Sequence, residues 1–102
     1  MIQRYASVIK IPESNWEKFE MLHANIWPEV LEILHKWNIR NFSIYRYGEL
    51  LFEYLEYVGN DFDADMKQVS QNPKTIEWRN LIAPLLDPVS EAIGNEQWHA
   101  IT

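Results

Sequence analysis

The sequence predicts an α+β fold in which strand and helix follow one another as β-α-β-β-α-β. Three observations carry that expectation. Two segments of strand composition, 41–47 and 49–57, stand on either side of Gly48 in the middle of the chain. A helical pattern restarted by a proline flanks them on each side, at Pro28 before and Pro73 after. Alternating polar and apolar residues occupy both ends of the chain.

Arg4 to Ile11 (RYASVIKI) is rich in β-branched and aromatic residues and reads as the first strand, which Pro12 ends. Ser14-Asn15-Trp16-Glu17 has the S-x-x-E spacing of a capping box, in which each side chain satisfies a free backbone donor of the other. A helix is therefore expected from near Ser14. At about 100° per residue, Trp16, Phe19, Leu22, His23 and Ile26 lie within about 120° of one another and form its buried stripe. Pro28 suits the first position of a second helix running to about Trp37, with Val30, Ile33, Leu34 and Trp37 inward and Asn25 to Trp27 as the bend between.

Asn41 to Tyr47 (NFSIYRY) and Glu49 to Tyr57 (ELLFEYLEY) then form a hairpin. Asn60 or Asp61 caps a helix to about Gln71, and Asn72-Pro73 restarts another in which Trp78, Leu81, Ile82 and Leu85 share a face. Asp87-Pro88 and Gly94 break it, and Glu96 to Ile101 (EQWHAI) reads as the fourth strand. This is the split βαβ, or ferredoxin-like, arrangement. Its helices cover one face of the sheet. The other face carries aromatics from several strands and needs a partner. A second copy packed sheet to sheet would make a homodimeric α+β barrel.

Composition narrows the function classes. The 102 residues, 47% hydrophobic and 24% charged, suit one globular domain, 1–102. A net charge of −6 argues against nucleic acid and anionic membrane partners, which need a basic footprint. The absence of Cys excludes thiolate metal sites and a Cys nucleophile. Met1 to Ile11 lacks the apolar core of a signal peptide and no apolar run reaches membrane-spanning length, so a cytoplasmic protein is expected. Five Trp offer flat apolar faces of the kind used by carbohydrate sites and by dimer interfaces.

Among chemistry-bearing residues His23 stands first, because imidazole exchanges a proton near neutral pH. On an apolar helical stripe such a residue is also commonly a core histidine bonded to a backbone carbonyl, and both readings remain open. His35 near a helix end suits a solvent-facing partner of the helix dipole, and His99 on the last strand has no obvious companion. No two His are three or four residues apart. Asp61-Asp63-Asp65 imitates the start of a calcium loop but lacks its Gly and its final Glu, and reads as a solvated helix start. There is no nucleophile-elbow sequence, and the three Gly are too scattered for a phosphate loop.

The run His23-Ala24-Asn25-Ile26-Trp27-Pro28-Glu29 resembles the hallmark segment of the L-rhamnose mutarotase family, a His followed at fixed distance by Ile-Trp-Pro-Glu. Asn41-Phe42-Ser43-Ile44-Tyr45 with Leu50-Leu51-Phe52 resembles that family's central hairpin, and Trp78 stands where it carries an aromatic in its last long helix. The similarity spans essentially the whole chain. It implies a dimeric α+β barrel that interconverts the anomers of L-rhamnose or a related 6-deoxy sugar, without cofactor or metal. By that resemblance His23 is the proton donor, acting as imidazolium on the ring oxygen, and Phe19, Phe42, Trp78 and Arg79 line the sugar pocket. The partner base is then water or a carboxylate such as Glu56.

The chain departs from the family pattern, with Phe19 and Phe42 in place of Tyr and Arg79 in place of a second Trp. Each lost phenol hydroxyl forfeits about 0.5–1.5 kcal/mol of hydrogen bonding, while the Arg79 guanidinium adds five donors. Two other readings stay open: a non-catalytic dimeric ligand-binding module, and a cofactor-independent monooxygenase on the same fold.

Overall fold

The computed structural model describes residues 2–94 and 96–101. The elements are β1 (Gln3–Lys10), α1 (Glu13–Ala24), α2 (Pro28–Lys36), β2 (Ile39–Tyr47), β3 (Leu50–Tyr57), α3 (Phe62–Gln71), α4 (Pro73–Ile82) and β4 (His99–Ile101), with a 3₁₀ turn at Ala83–Leu85. The strands form one antiparallel sheet in the order β2-β3-β1-β4. This is the α+β, ferredoxin-like order, with each helical crossover split in two by a proline.

Strand alternation decides which residues meet the helices. Ile9 pairs with Leu51 across β1 and β3, and Ser7 pairs with Glu53, so these four share the inner face. Ile9 and Ile11 have no exposed surface, and they join Leu51, Phe19 of α1, Val30 of α2, and Trp78 and Ile82 of α4 in one core. The same alternation turns Phe52 and Tyr54 of β3, and Tyr45 and Tyr47 of β2, to the opposite face. Tyr45 is 64% exposed and Tyr47 80%.

One irregularity bears on the site. Between Arg40 and Ser43 the register with β3 slips, so that Asn41 and Phe42 together oppose the single residue Leu55. Asn41 takes φ 50 there, a left-handed conformation that Asn tolerates better than most residues. The extra residue of this bulge brings Phe42 to the inner side while Ser43 stays opposite Tyr54 on the outer face.

Several expectations need correction. The capping box does not form: α1 begins at Glu13, its cap position is Pro12, and no side chain caps it. The helix starts early because Pro12 already holds φ −58, and the Asn15 N–H donates to the Pro12 carbonyl at 2.9 Å. The Asn15 side chain instead donates to the Leu85 carbonyl at 3.1 Å, tying α1 to the 3₁₀ turn. Leu81 is 38% exposed rather than buried, since α4 presents Trp78 and Ile82 inward. The fourth strand is His99–Ile101 only. Glu96 caps the approach to it, with its carboxylate 2.6 Å from His99 Nδ1, so His99 does have a companion. The helix starts at Asp61 and Asn72 are as expected, with Asp61 accepting from the Ala64 N–H at 3.1 Å and Asn72 from the Lys74 N–H at 2.9 Å.

Candidate active site

α1 ends one residue past His23, and the chain bends through Asn25 before Pro28 opens α2. The break leaves the His23 ring on the last turn of α1, half-buried, beside the inner face of the sheet. Two neighbours fix it. Phe19, one turn back, stacks on it at 3.9 Å between centroids and 22° between planes. The edge of Trp78 meets it at 5.5 Å, and Trp78 is itself braced by Trp27 at 5.3 Å. His23 Nδ1 lies 3.2 Å from the Phe19 carbonyl oxygen. That oxygen only accepts, so Nδ1 carries the hydrogen and Nε2 is left for other chemistry.

His23 borders a cavity of about 200 Å³ between the helices and the sheet, walled also by Phe42, Glu53, Trp78, Arg79 and Gln97. Pockets for drug-sized ligands run to about 300–1,000 Å³, so this one suits a ligand of a single ring. On its other side His23 borders a more open depression of about 530 Å³ that includes Trp16, Phe19, Glu20 and Arg46. The Arg46 guanidinium lies 4.1 Å over the Trp16 ring. Two polar groups of the inner cavity are notable. Thr75 is buried and its Oγ1 has no hydrogen-bond partner among the described residues, a deficit that a ligand hydroxyl would relieve. Glu53 is half-buried, and one of its carboxylate oxygens accepts from Ser7 Oγ at 3.2 Å.

Burial acts on both titratable groups in the direction of neutrality. It lowers the pKa of His23 below the ordinary imidazole value, and the Phe19 carbonyl only partly offsets it. It raises that of Glu53 above the usual carboxylate range, against the opposing pull of the Ser7 hydroxyl and the Arg79 charge. The imidazolium form expected of His23 is thus the form its surroundings disfavour.

Of the five site residues named from the sequence, His23, Phe42, Trp78 and Arg79 line one cavity. Phe19 does not reach it; it supports the imidazole from below and borders the outer depression. Glu56 is on the opposite face of the sheet, where Asn41 Nδ2 and the Tyr54 hydroxyl each donate to it at 2.8 Å. The carboxylate within the cavity is Glu53. Among the described residues no group of three or more His, Asp or Glu is arranged to hold a metal. Asp61 and Asp65 are spent on structure, capping α3 and accepting hydrogen bonds from Tyr57 and Asn38.

Comparison with known proteins adds a family. A family model described as L-rhamnose mutarotase matches residues 4–102. An L-rhamnose mutarotase of Shouchella clausii is 27% identical over 86 residues, covering 82% of this chain and 80% of its own. A UPF0734 protein of Dictyostelium discoideum is 32% identical over 83 residues, 78% of this chain, and the match spans 66% of that protein's length. The crystal structure of an L-rhamnose mutarotase from Formosa agariphila superposes with a TM-score of 0.76 at 16% identity, covering 98% of this chain and 93% of that one.

Proposed function

Because the chain belongs to the L-rhamnose mutarotase family, whose members are isomerases acting on carbohydrates, we propose that it interconverts the α and β anomers of L-rhamnose or a related 6-deoxy aldose in the cavity beside His23. One observation carries the proposal. The imidazole is anchored through Nδ1, stacked on Phe19, and borders a ring-sized cavity with apolar walls and a few polar groups.

An anomer changes hand by opening to the aldehyde, turning its carbonyl face and closing again. Opening needs one proton delivered to the ring oxygen and one removed from the anomeric hydroxyl. Free sugars do this slowly in water, so a positioned acid–base group, contributing about 10²–10⁴-fold, is a sufficient catalyst. His23 exchanges the proton. Trp78 supplies the apolar wall for the 6-methyl group or a sugar face, while Arg79, Gln97 and the unpartnered Thr75 hydroxyl meet the ring hydroxyls. No step requires a cofactor. The catalytic unit is a homodimer of one-domain chains packed through the outer faces of their sheets.

The test is His23→Ala, assayed for anomer exchange by magnetisation transfer and for melting temperature on the same preparation. The expected result is a loss of about 10²-fold or more in exchange rate with melting largely kept. Lost stability with unchanged rate per folded molecule would return His23 to a purely structural role.

A further inference from the structure

Among the described residues Glu53 is the one carboxylate that shares the inner cavity with His23. The sheet holds it there: its neighbours in register are Ser7 on β1 and Ile44 on β2, both on the inner face. A carboxylate on the helix-covered side of a sheet is costly unless it is paired or hydrogen-bonded. Here its protein hydrogen bond comes from Ser7 Oγ on one oxygen. His23 reaches the cavity from α1 with Nδ1 already committed to the Phe19 carbonyl. In the neutral ring Nε2 therefore carries a lone pair and can only accept a proton.

Resting on the mutarotase reading, we infer that Glu53 is the second proton-transfer group, and that the roles run opposite to the imidazolium scheme: the Glu53 carboxylic acid protonates the ring oxygen while neutral His23 takes the anomeric proton. The step balances. The anomeric O–H bond breaks and its proton goes to His23 Nε2. The electron pair left on that oxygen forms the aldehyde C=O. The bond from the anomeric carbon to the ring oxygen breaks, and its pair takes the Glu53 proton to become a hydroxyl. After rotation about the bond between the first two carbons the same transfers run backward, and both groups return to their neutral forms. Burial favours the neutral form of each partner, which is the starting state this scheme needs.

The charged and titratable groups that surround the pair are Arg79 from α4 on the inner cavity, and Glu20 from α1 with Tyr45 and Arg46 from β2 on the outer side of His23. Arg79 opposes the upward shift of the Glu53 carboxyl, less than burial favours it.

Glu53→Gln keeps the shape and removes the ionisable proton. Exchange of both anomers should be followed by magnetisation transfer across pH in the wild type and in Glu53→Gln, with melting temperature alongside. The expected result is a loss of about 10²-fold or more, and a residual rate that rises with pH as His23 loses its proton. Melting should be unchanged or raised at neutral and alkaline pH, because the raised carboxyl pKa means that ionisation of native Glu53 costs stability as pH rises through it. A rate within a few-fold of wild type would overturn the inference, and a residual rate that falls as pH rises would overturn the assignment of roles. Ser7→Ala, which touches neither the ligand nor His23, should move one limb of the wild-type pH–rate profile upward and leave the other in place; two unmoved limbs would also count against Glu53. A wild type that accelerates no sugar's exchange overturns the function reading itself, whereas an active wild type with an equally active Glu53→Gln overturns this inference alone.

Discussion

Asp65 accepts from two side chains on one oxygen, the Tyr57 hydroxyl and, at 2.9 Å, the Asn38 amide. The Tyr57 hydroxyl in turn accepts from the Asp61 N–H at 2.9 Å. These bonds hold the Asp65 carboxyl below the usual carboxylate range. The folded chain therefore binds that proton less readily than the unfolded one, and the stability this gives is complete above the ordinary carboxylate pKa and lost as pH falls through the folded value. Asp65→Asn should flatten the acid side of a plot of melting temperature against pH; an unchanged acid limb would show that the cluster contributes nothing there. The backbone passes this cluster at Gly59, where a Cβ would lie 2.6 Å from Tyr57 Cζ and 2.7 Å from Asn38 Nδ2. Gly59→Ala should cost about 1–3 kcal/mol in denaturant unfolding, as overpacking does. At this scale His23 was legible through the spaced run that ends in Ile-Trp-Pro-Glu, and Trp78 through its helical face and its place in the family pattern. Glu53 was not, because within Leu50 to Tyr57 (LLFEYLEY) both faces are apolar apart from one Glu each, and alternation alone does not say which Glu turns inward. Only the register with Ser7 decides it.

Three of the four α-helix starts among the described residues were legible, each from a proline or an Asx residue. Pro28, Pro73, Asp61 and Asn72 mark helix starts in the sequence and in the structure alike. The capping box failed because Pro12 opened α1 ahead of Ser14. The bulge at Asn41 left no sequence signal beyond an Asn near a strand start, since a slip of register arises from pairing with β3. Yet it brings Phe42 to the cavity. Asn41→Val, a β-branched residue forced to positive φ, should cost about 1–2 kcal/mol and should reduce anomer exchange by displacing Phe42. Asn41→Gly loses the same bond to Glu56 but takes positive φ freely, so it should lose less stability than Asn41→Val and keep exchange. Equal behaviour of the two variants would show that the left-handed conformation does not matter.

On the scale of the whole molecule, the helices cover one face of a four-stranded sheet and leave Tyr45 and Tyr47 exposed on the other. Such a face is stable in water when a second sheet covers it. Sedimentation at micromolar concentration should give twice the 12.2 kDa chain mass, and a monomer would contradict the proposed barrel. Fold order was legible at this scale because each helical segment separates strands of clear pattern. The substrate was not, because the groups proposed to meet its hydroxyls share one cavity from two separate parts of the chain, Thr75 and Arg79 on α4 and Gln97 ahead of β4. The most direct test of the central claim is magnetisation transfer between the anomers of L-rhamnose, L-fucose and a set of other aldoses, with and without the wild-type protein. The account predicts faster exchange for at least one 6-deoxy sugar at catalytic protein concentration. A sugar that binds while its exchange rate stays at the value in buffer would contradict it.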